Sequence, residues 1–354
     1  MSYIKINLSN VADNFKLLQA KIDSKTKCGA VVKADAYGLG AVQVCQILEK
    51  NGCHDFFVAH IDEALRLRQQ ISSDIYLLHG VFNAETAKLA HQHNITPVLN
   101  CNEQVALYND YADTLSQKLP AILNFDTGMG RLGIAPKDAK YLQVEFIDCI
   151  YIMSHLACAD EPDHPLNPIQ LCNLKELIKL FPGVKMSLAN SSGIFLSNNY
   201  HFDLVRPGCA IYGMNPTSNK KNPMKTVVTI NAKIVQRRIL DQDQYVGYGA
   251  SHLVKAGSKI FIVEYGYSDG YFRSLSNNSK CYVDGFYLDI IGRVSMDLTI
   301  CDATILPQHL FQQTEYVEML GEHITLEELA KNAGTIGYEI LTNVGSRYQR
   351  KYIV

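Results

Sequence analysis

The chain has almost no charge imbalance: 33 basic against 35 acidic side chains leave a formal net charge of -2. With no surplus positive field to draw a phosphate backbone or an anionic bilayer, neither nucleic acid nor a membrane surface is expected as a partner. Long apolar runs are absent too. No stretch approaches the ~20 residues of a bilayer-crossing helix, and Met1 to Ile22 lacks the basic start, apolar core and small-residue cleavage site of a secretory signal. The expectation is a cytoplasmic protein. Cysteine pairs are also missing. The 10 cysteines are scattered through apolar segments such as Val44-Cys45-Gln46-Ile47 and Asp148-Cys149-Ile150, with no C-x-x-C spacing. Buried free thiols fit that pattern better than disulfides or a metal centre. His91 and His93 fall in a polar, helix-like segment and read as a solvated face rather than as ligands.

What is present is ordinary globular material, 47% hydrophobic and 19% charged, in 354 residues. That length exceeds what one core usually serves, so a large and a smaller domain are expected. Short β-branched runs alternate with amphipathic stretches through the first half, the signature of parallel strands joined by crossover helices. The runs are Cys28 to Lys33, Asp55 to His60, Asp74 to His79, Ile95 to Asn100, Ala121 to Asp126, Asp148 to His155, Val184 to Asn190 and Phe202 to Arg206. That set suffices for an α/β fold with an N-terminal (β/α)8 TIM-type barrel. Helices are expected over Ala41 to Lys50, Asp62 to Gln70, Ala84 to His93, Glu103 to Leu115, Pro168 to Leu180 and Ser191 to Ser197. A leading helix over Ser9 to Lys21 should precede them, with Ser9 or Asn10 as its N-cap.

Beyond the polar, turn-rich connector Asn215 to Pro223 the texture becomes strands without intervening helices: Thr226 to Arg237, Lys259 to Glu264, Lys280 to Val283, Phe286 to Ile291 and Leu298 to Asp302. Residues 1–223 are therefore read as the barrel with its leading segment, and 224–354 as a smaller β-rich domain.

Polar residues gather at the ends of the barrel runs: Lys33, His60, His79, Asn100, Asn124, Asp126, His155, Asn190 and Arg206. The carboxyl ends of barrel strands build active sites, which makes this the first candidate site. Lys33 closes the apolar run Ala30-Val31-Val32. A desolvated lysine there loses its proton readily enough to form a Schiff base, although a lone lysine at a strand end also serves as a snorkelling surface group. Gly38 and Gly40 permit tight backbone before the next helix. They form no dinucleotide fingerprint, since Gln43 stands where a third glycine is needed.

The segment Val31-Val32-Lys33-Ala34-Asp35-Ala36-Tyr37-Gly38-Leu39-Gly40 resembles the cofactor-lysine motif of the alanine racemase family. Further segments agree in the family's order: Asp126-Thr127-Gly128-Met129-Gly130-Arg131-Leu132-Gly133, Ser154-His155-Leu156-Ala157, Ala189-Asn190-Ser191-Ser192, Val205-Arg206-Pro207-Gly208, Val246-Gly247-Tyr248-Gly249-Ala250, Gly266-Tyr267-Ser268-Asp269-Gly270 and Gly292-Arg293-Val294-Ser295-Met296-Asp297. The resemblance spans essentially the whole chain.

It implies an isomerase that interconverts L- and D-alanine on pyridoxal phosphate and supplies D-alanine for peptidoglycan. Lys33 would hold the cofactor and act as base on one face. Tyr248, reaching the neighbouring subunit's barrel, would be the base on the other, so a homodimer with shared sites is implied. A tyrosine between two glycines is otherwise more often a turn residue. Arg206 would meet the pyridine nitrogen, Arg131 the phenolic oxygen and the substrate carboxylate, and His155 would bond Arg206. Phosphate binding would fall to Tyr37, Ser191, the backbone of Gly208 and Cys209, and Tyr338. The Met296 backbone amide would touch the substrate carboxylate, and Asp160, Tyr267, Arg273 and Arg293 would line a narrow entrance.

Two positions depart from a family pattern: Ser295 stands where cysteine is frequent, which leaves catalysis untouched, and Asn124 stands where some members carry a carbamylated lysine, leaving an inorganic anion such as chloride as a candidate neighbour for Arg131. Alternatives are a racemase of broader specificity that also takes serine, a non-catalytic pyridoxal-phosphate carrier, which would lack the second domain, and a barrel decarboxylase, which would need a carboxylate in place of Arg206.

Overall fold

The structure is a computed structural model describing residues 1–217 and 220–354. Part of the connector expected over Asn215 to Pro223, namely Ser218 and Asn219, thus lies outside the described residues. Seven parallel strands form one sheet in sequence order, from Ala30–Val31 through Asp55–Val58, Asp74–Leu77, Ile95–Leu99, Leu119–Asn124 and Ile147–Met153 to Lys185–Ser187. An eighth, Leu204–Val205, pairs with Lys27–Cys28 on one side. On the other, Arg206 N–H donates to the Ala189 carbonyl at 2.9 Å and Asp203 N–H to that of Met186 at 3.1 Å. Gly29 and Val31 N–H complete the seam by donating to Val205 and Pro207. The sheet therefore closes into the barrel that the alternation of strand and helix predicts.

Its lumen is packed rather than open. Phe57, Tyr76, Val98, Ile122, Tyr151, Met153 and Leu204 point inward from successive strands and form a buried cluster of their own. Phe57 and Tyr76 stack with ring centroids 4.7 Å apart. Burying aromatic and branched side chains of this size stabilises the barrel by roughly 1.5 to 3 kcal/mol each, and it directs chemistry to the strand ends. The helices Ala41–Lys50, Ile61–Arg68, Ala84–Gln92, Asn102–Thr114 and Leu166–Ile178 lie between successive strands. The expected helix over Ser191 to Ser197 shrinks to a 3-10 turn, Gly193–Phe195. At Gly193 a Cβ would meet Leu156 at 2.9 Å and Ala189 at 3.1 Å, so the backbone there packs directly on its neighbours.

The leading helix is Leu8–Gln19, and its N-cap is Asn7, whose side chain accepts the Asn10 N–H at 3.0 Å, not Ser9 or Asn10. Ahead of it, Tyr3–Asn7 is a strand that the sequence reading assigned to the leading segment of the barrel. It instead joins the second sheet, antiparallel to Val228–Ile239 and parallel to Gln349–Ile353. The rest of that sheet comprises Phe286–Asp289, Lys280–Val283 and Tyr316–Leu320, with Lys259–Val263 and Thr299–Asp302 branching from Val228–Ile239. A register shift between Ile234 and Gln236 lets the long strand serve both partners.

Among the described residues no α-helix intervenes between the strands of 224–302, as expected, but helices follow beyond them. Gln308–Gln313, Leu326–Ala333 and Gly337–Thr342 are helical. The second of them announces itself in sequence, with Thr325 as N-cap to Glu328 N–H and Gly334 left-handed at its end. No helix among the described residues is long and apolar enough to cross a membrane. The thiols are all free. Cys45 is buried and Cys149 half-buried, while Cys172 is exposed.

Candidate active site

Lys33 follows directly on a strand whose last bond is Val32 N–H to the Phe57 carbonyl at 2.8 Å. The chain then makes a left-handed turn over Ala34, Asp35, Ala36 and Tyr37, with φ of 53, 54, 53 and 58°. For L-residues such a turn costs about 1–2 kcal/mol per residue, so it must be held from outside. Gly38 and Gly40 are required here. A Cβ at 38 would lie 2.7 Å from the Leu341 carbonyl oxygen, and one at 40 would overlap the Tyr352 hydroxyl. Arg350 donates to the Gly38 carbonyl at 2.9 and 3.1 Å, and the Tyr352 hydroxyl donates to Leu39 at 3.1 Å. The second sheet thus clamps the turn that presents the lysine. Burial lowers the Lys33 pKa, Arg131 pushes it the same way, and Glu63 opposes them.

Arg206 is buried at the end of the last barrel strand. Its guanidinium donates to the Ser187 hydroxyl, to the Ser154 carbonyl at 2.7 Å and to His155 Nδ1 at 3.4 Å. None of these partners is acidic. Burial brings Arg206 down to about 9, which leaves it charged at neutral pH. Burial, then Arg206, Arg131 and Lys33, drive His155 down to about 3, so its imidazole is neutral and can accept from the arginine. Arg131 stands in a loop whose shape is fixed by Asp126. That carboxylate receives the N–H groups of Gly128, Met129 and Gly130 at 2.8 to 3.1 Å. Burial would raise the Asp126 pKa, but the bonds from Gly128, Gly130 and Met129 hold it below the usual range. Asn124 bonds Asn100 at 2.8 Å and the Leu132 carbonyl at 3.4 Å, occupying its amide with neutral partners.

An anion cradle completes this cluster. The Ser191 hydroxyl accepts N–H bonds from Gly208 at 2.9 Å and Ala210 at 3.2 Å, at the start of the 3-10 helix Cys209–Tyr212. A Cβ on Gly208 would come within 2.5 Å of the Tyr37 hydroxyl, so the backbone is bare where it must be. The rings of Tyr37 and Tyr338 lie 6.0 Å apart, and burial raises both phenol pKa values, keeping the hydroxyls protonated as donors. Asp160 is near enough to Tyr338 for its charge to add to that rise. Amide and hydroxyl donors suited to a phosphate, a protonated guanidinium suited to a heteroaromatic nitrogen and an amine of lowered pKa together fit pyridoxal phosphate.

Tyr248 lies elsewhere. It stands 72% exposed in the turn that joins strands Gln244–Val246 and His252–Val254. Arg293 packs beside it: a Cβ on Gly249 would be 2.9 Å from the Arg293 guanidinium. The same chain segment continues to Met296, whose carbonyl accepts the Ser268 N–H at 3.0 Å, while Ser295 accepts that of Tyr267. Arg273 adjoins through Ser276, whose hydroxyl donates to the Arg273 carbonyl and accepts the Val294 N–H. Tyr248, Tyr267, Arg273, Arg293 and Met296 therefore form a second group. Among the described residues no hydrogen bond or ring contact joins it to Lys33, Arg131 or Arg206.

Sequence reading passed over the residues that hold these side chains: Glu63, Ser187, Ser154, Arg350 and Tyr352. A carboxylate after His60 in a helix's first turn is a recognisable cap signal; Ser154 stood inside a family motif without a role of its own, and Ser187, Arg350 and Tyr352 carried no signal, because their partners are far away in sequence.

A family model described as the alanine racemase N-terminal domain matches residues 6–216, and one for the alanine racemase C-terminal domain matches residues 227–352. A catabolic alanine racemase of Agrobacterium fabrum is 44% identical, covering 99% of this chain and 92% of its own length. An alanine racemase of Rickettsia conorii is 42% identical, covering 99% and 98%. The crystal structure of alanine racemase from Bartonella henselae with covalently bound pyridoxal phosphate superposes with a TM-score of 0.93 at 38% identity, covering 99% of each chain.

Proposed function

The chain belongs to the alanine racemase family and interconverts L- and D-alanine with pyridoxal phosphate as cofactor, and we propose that Lys33 and Tyr248 are the two bases that move the proton. When bound, the cofactor delocalises the electron pair left as the alanine Cα–H bond opens. Lys33, its pKa lowered by burial and by Arg131, offers an amine that gives up its proton more readily than an exposed lysine, to hold the cofactor and to exchange a proton at Cα from one side. Tyr248 exchanges it from the other. Arg131 takes the substrate carboxylate, joined by the Met296 amide. Ser191, the amides of Gly208 and Cys209, Tyr37 and Tyr338 hold the phosphate.

Arg206 would offer the ring nitrogen of bound pyridoxal phosphate a donor that stays charged at neutral pH, which would disfavour a second proton there. A guanidinium in that place, rather than a carboxylate, would favour return of the proton over transamination or decarboxylation. His155, neutral and bonded to Arg206, keeps the guanidinium in place.

Two copies share each site in this reading. The observation that carries it is the exposure of Tyr248 at 72%, with Met296 at 53% and Tyr267 at 42%, aromatic and apolar side chains of the kind that mark an interaction surface. A two-fold dimer would cover this group and bring it over the partner's Lys33. Asp160, Tyr267, Arg273 and Arg293 would narrow the approach, admitting alanine ahead of serine. The protein works in the cytoplasm and its D-alanine goes to peptidoglycan. A strain lacking the gene should need added D-alanine, and growth without it would assign a catabolic role instead.

The direct test uses the purified protein in deuterated water, with L- or D-alanine as substrate and serine and lysine as competitors. Both alanine enantiomers should interconvert with exchange at Cα. Lys33→Ala should lose the visible absorption of lysine-bound cofactor, and Tyr248→Phe should slow one direction more than the other. Mild, equal losses in both directions would remove the two-base assignment.

A further inference from the structure

The far end of the left-handed turn is well held. Gly40 N–H donates to the Asp35 carbonyl at 2.9 Å and Ala41 N–H to Asp35 Oδ1 at 2.8 Å, beside the clamps from Arg350 and Tyr352. The near end adjoins Lys33, and there the first N–H of the turn, that of Ala34, donates to Glu63 Oε1 at 2.6 Å. The other oxygen of the same carboxylate, Oε2, accepts the N–H of Ala59 at 2.8 Å and of His60 at 3.2 Å. Those two N–H groups open the helix Ile61–Arg68, in which Glu63 occupies the third position of a capping box. One half-buried side chain thus joins the end of the first barrel strand to the end of the second. Ala34 at φ 53° has no helical or strand partner for its N–H, so releasing it frees the peptide between residues 33 and 34 to rotate. With that bond gone the backbone dihedrals of Lys33 are no longer fixed from its C-terminal side, and any change in them redirects the Cα–Cβ bond and, through a four-carbon stem, the amine.

We propose that Glu63 is a positioning residue for Lys33: by bridging Ala34 to Ala59 and His60, its carboxylate fixes the backbone from which the cofactor lysine reaches into the site. This rests on Lys33 being that lysine. Both oxygens of Glu63 are taken up by the backbone N–H groups of Ala34, Ala59 and His60, so it acts through the turn. It is also the negative charge that opposes Arg131 at the amine, which makes reach and charge separate contributions. Asp keeps the charge but is one methylene too short to span both sides. Gln keeps the length, loses the charge and turns an NH2 toward one set of N–H donors.

Apo-protein carrying E63Q, E63D or K33A is to be compared with wild type by two measurements. The first is the rate at which visible absorption develops with saturating pyridoxal phosphate, as the amine adds to the aldehyde and water leaves. The second is the affinity for pyridoxine 5′-phosphate, which has no aldehyde and reports the cradle alone through tyrosine fluorescence. Both Glu63 variants should attach the cofactor at least about tenfold more slowly, a loss of the size expected when a reacting group is misplaced, while binding pyridoxine phosphate within about twofold of wild type. A wild-type attachment rate in E63Q overturns the inference, and so does full recovery in E63D, which would leave only a charge effect. Equal loss of attachment and pyridoxine phosphate binding also overturns it, since that marks general damage to the fold. Absorption that develops normally in K33A would instead refute the assignment of Lys33, whatever the Glu63 variants do.

Discussion

Shared sites make a numerical prediction for mixed dimers. Tyr248 sits on a hairpin turn tied to Arg293 and Met296, apart from the barrel cluster around Lys33 in the same chain. If each site takes Lys33 from one copy and Tyr248 from the other, a dimer of Lys33→Ala with Tyr248→Ala has one site lacking both bases and one with both intact. Random assortment of equal amounts makes half the dimers mixed, each with one working site of two, so activity should recover to about a quarter of wild type. Mixed dimers isolated through two different affinity tags should reach about half. The assay is D-alanine formation from L-alanine after the two inactive proteins are unfolded and refolded together with cofactor, normalised to total chain. Were Tyr248 to serve Lys33 of its own chain, every copy would lack one base and mixing would restore nothing. Activity no higher than the mean of the two parents therefore refutes the arrangement.

Three further outcomes follow from the cradle and the buried cations, and one from the Asn124 site. Gly208→Ala puts a Cβ 2.5 Å from the Tyr37 hydroxyl, and titration of apo-protein should show pyridoxal phosphate binding at least about tenfold weaker, or about 1.4 kcal/mol; unchanged affinity would refute the close approach. Arg206→Lys cannot keep bonds to Ser187, Ser154 and His155 together, so urea unfolding should show a loss of about 2 kcal/mol, and a change below about 0.5 kcal/mol would contradict this. His155 titrates near 3 when folded against 6.5 ordinarily. The unfolded chain therefore binds the extra proton, and stability should fall as pH drops from 6.5 toward 3 by up to about 1.4 kcal/mol per unit. His155→Gln should flatten that slope, and an equally steep slope in the variant would exclude His155 as its source. Crystals grown in bromide should show an anomalous peak beside Arg131 and Asn124, and its absence would remove the halide from this site.

Much of the barrel was legible because each strand is a short apolar run bounded by turn formers, and period and length separate such runs from the helices between them. Lys33, His155 and Arg206 stood out for the same reason, as polar residues where apolar runs stop, whereas Arg131 was read only from the resemblance of its glycine-rich segment to the family. The strand Tyr3–Asn7 was not legible. Its sequence, Tyr-Ile-Lys-Ile-Asn, alternates as a strand should, but its partners at Val228–Ile239 and Gln349–Ile353 lie more than half a chain away. Nothing local could show that the first residues belong with the last.

The sequence by itself determined most of the barrel's strands and helices and which side chains are candidates for the chemistry, because these depend on residue type and near neighbours. Tertiary structure decided how those side chains are held. The left-handed turn after Lys33 is unfavourable for every residue in it, and it persists only because Glu63, Arg350 and Tyr352 reach it from other elements. The neutrality of His155 is likewise a product of burial and of three cations drawn from separate strand ends and loops. Strain and desolvation of this kind are properties of an enclosure, and a chain acquires an enclosure only by folding.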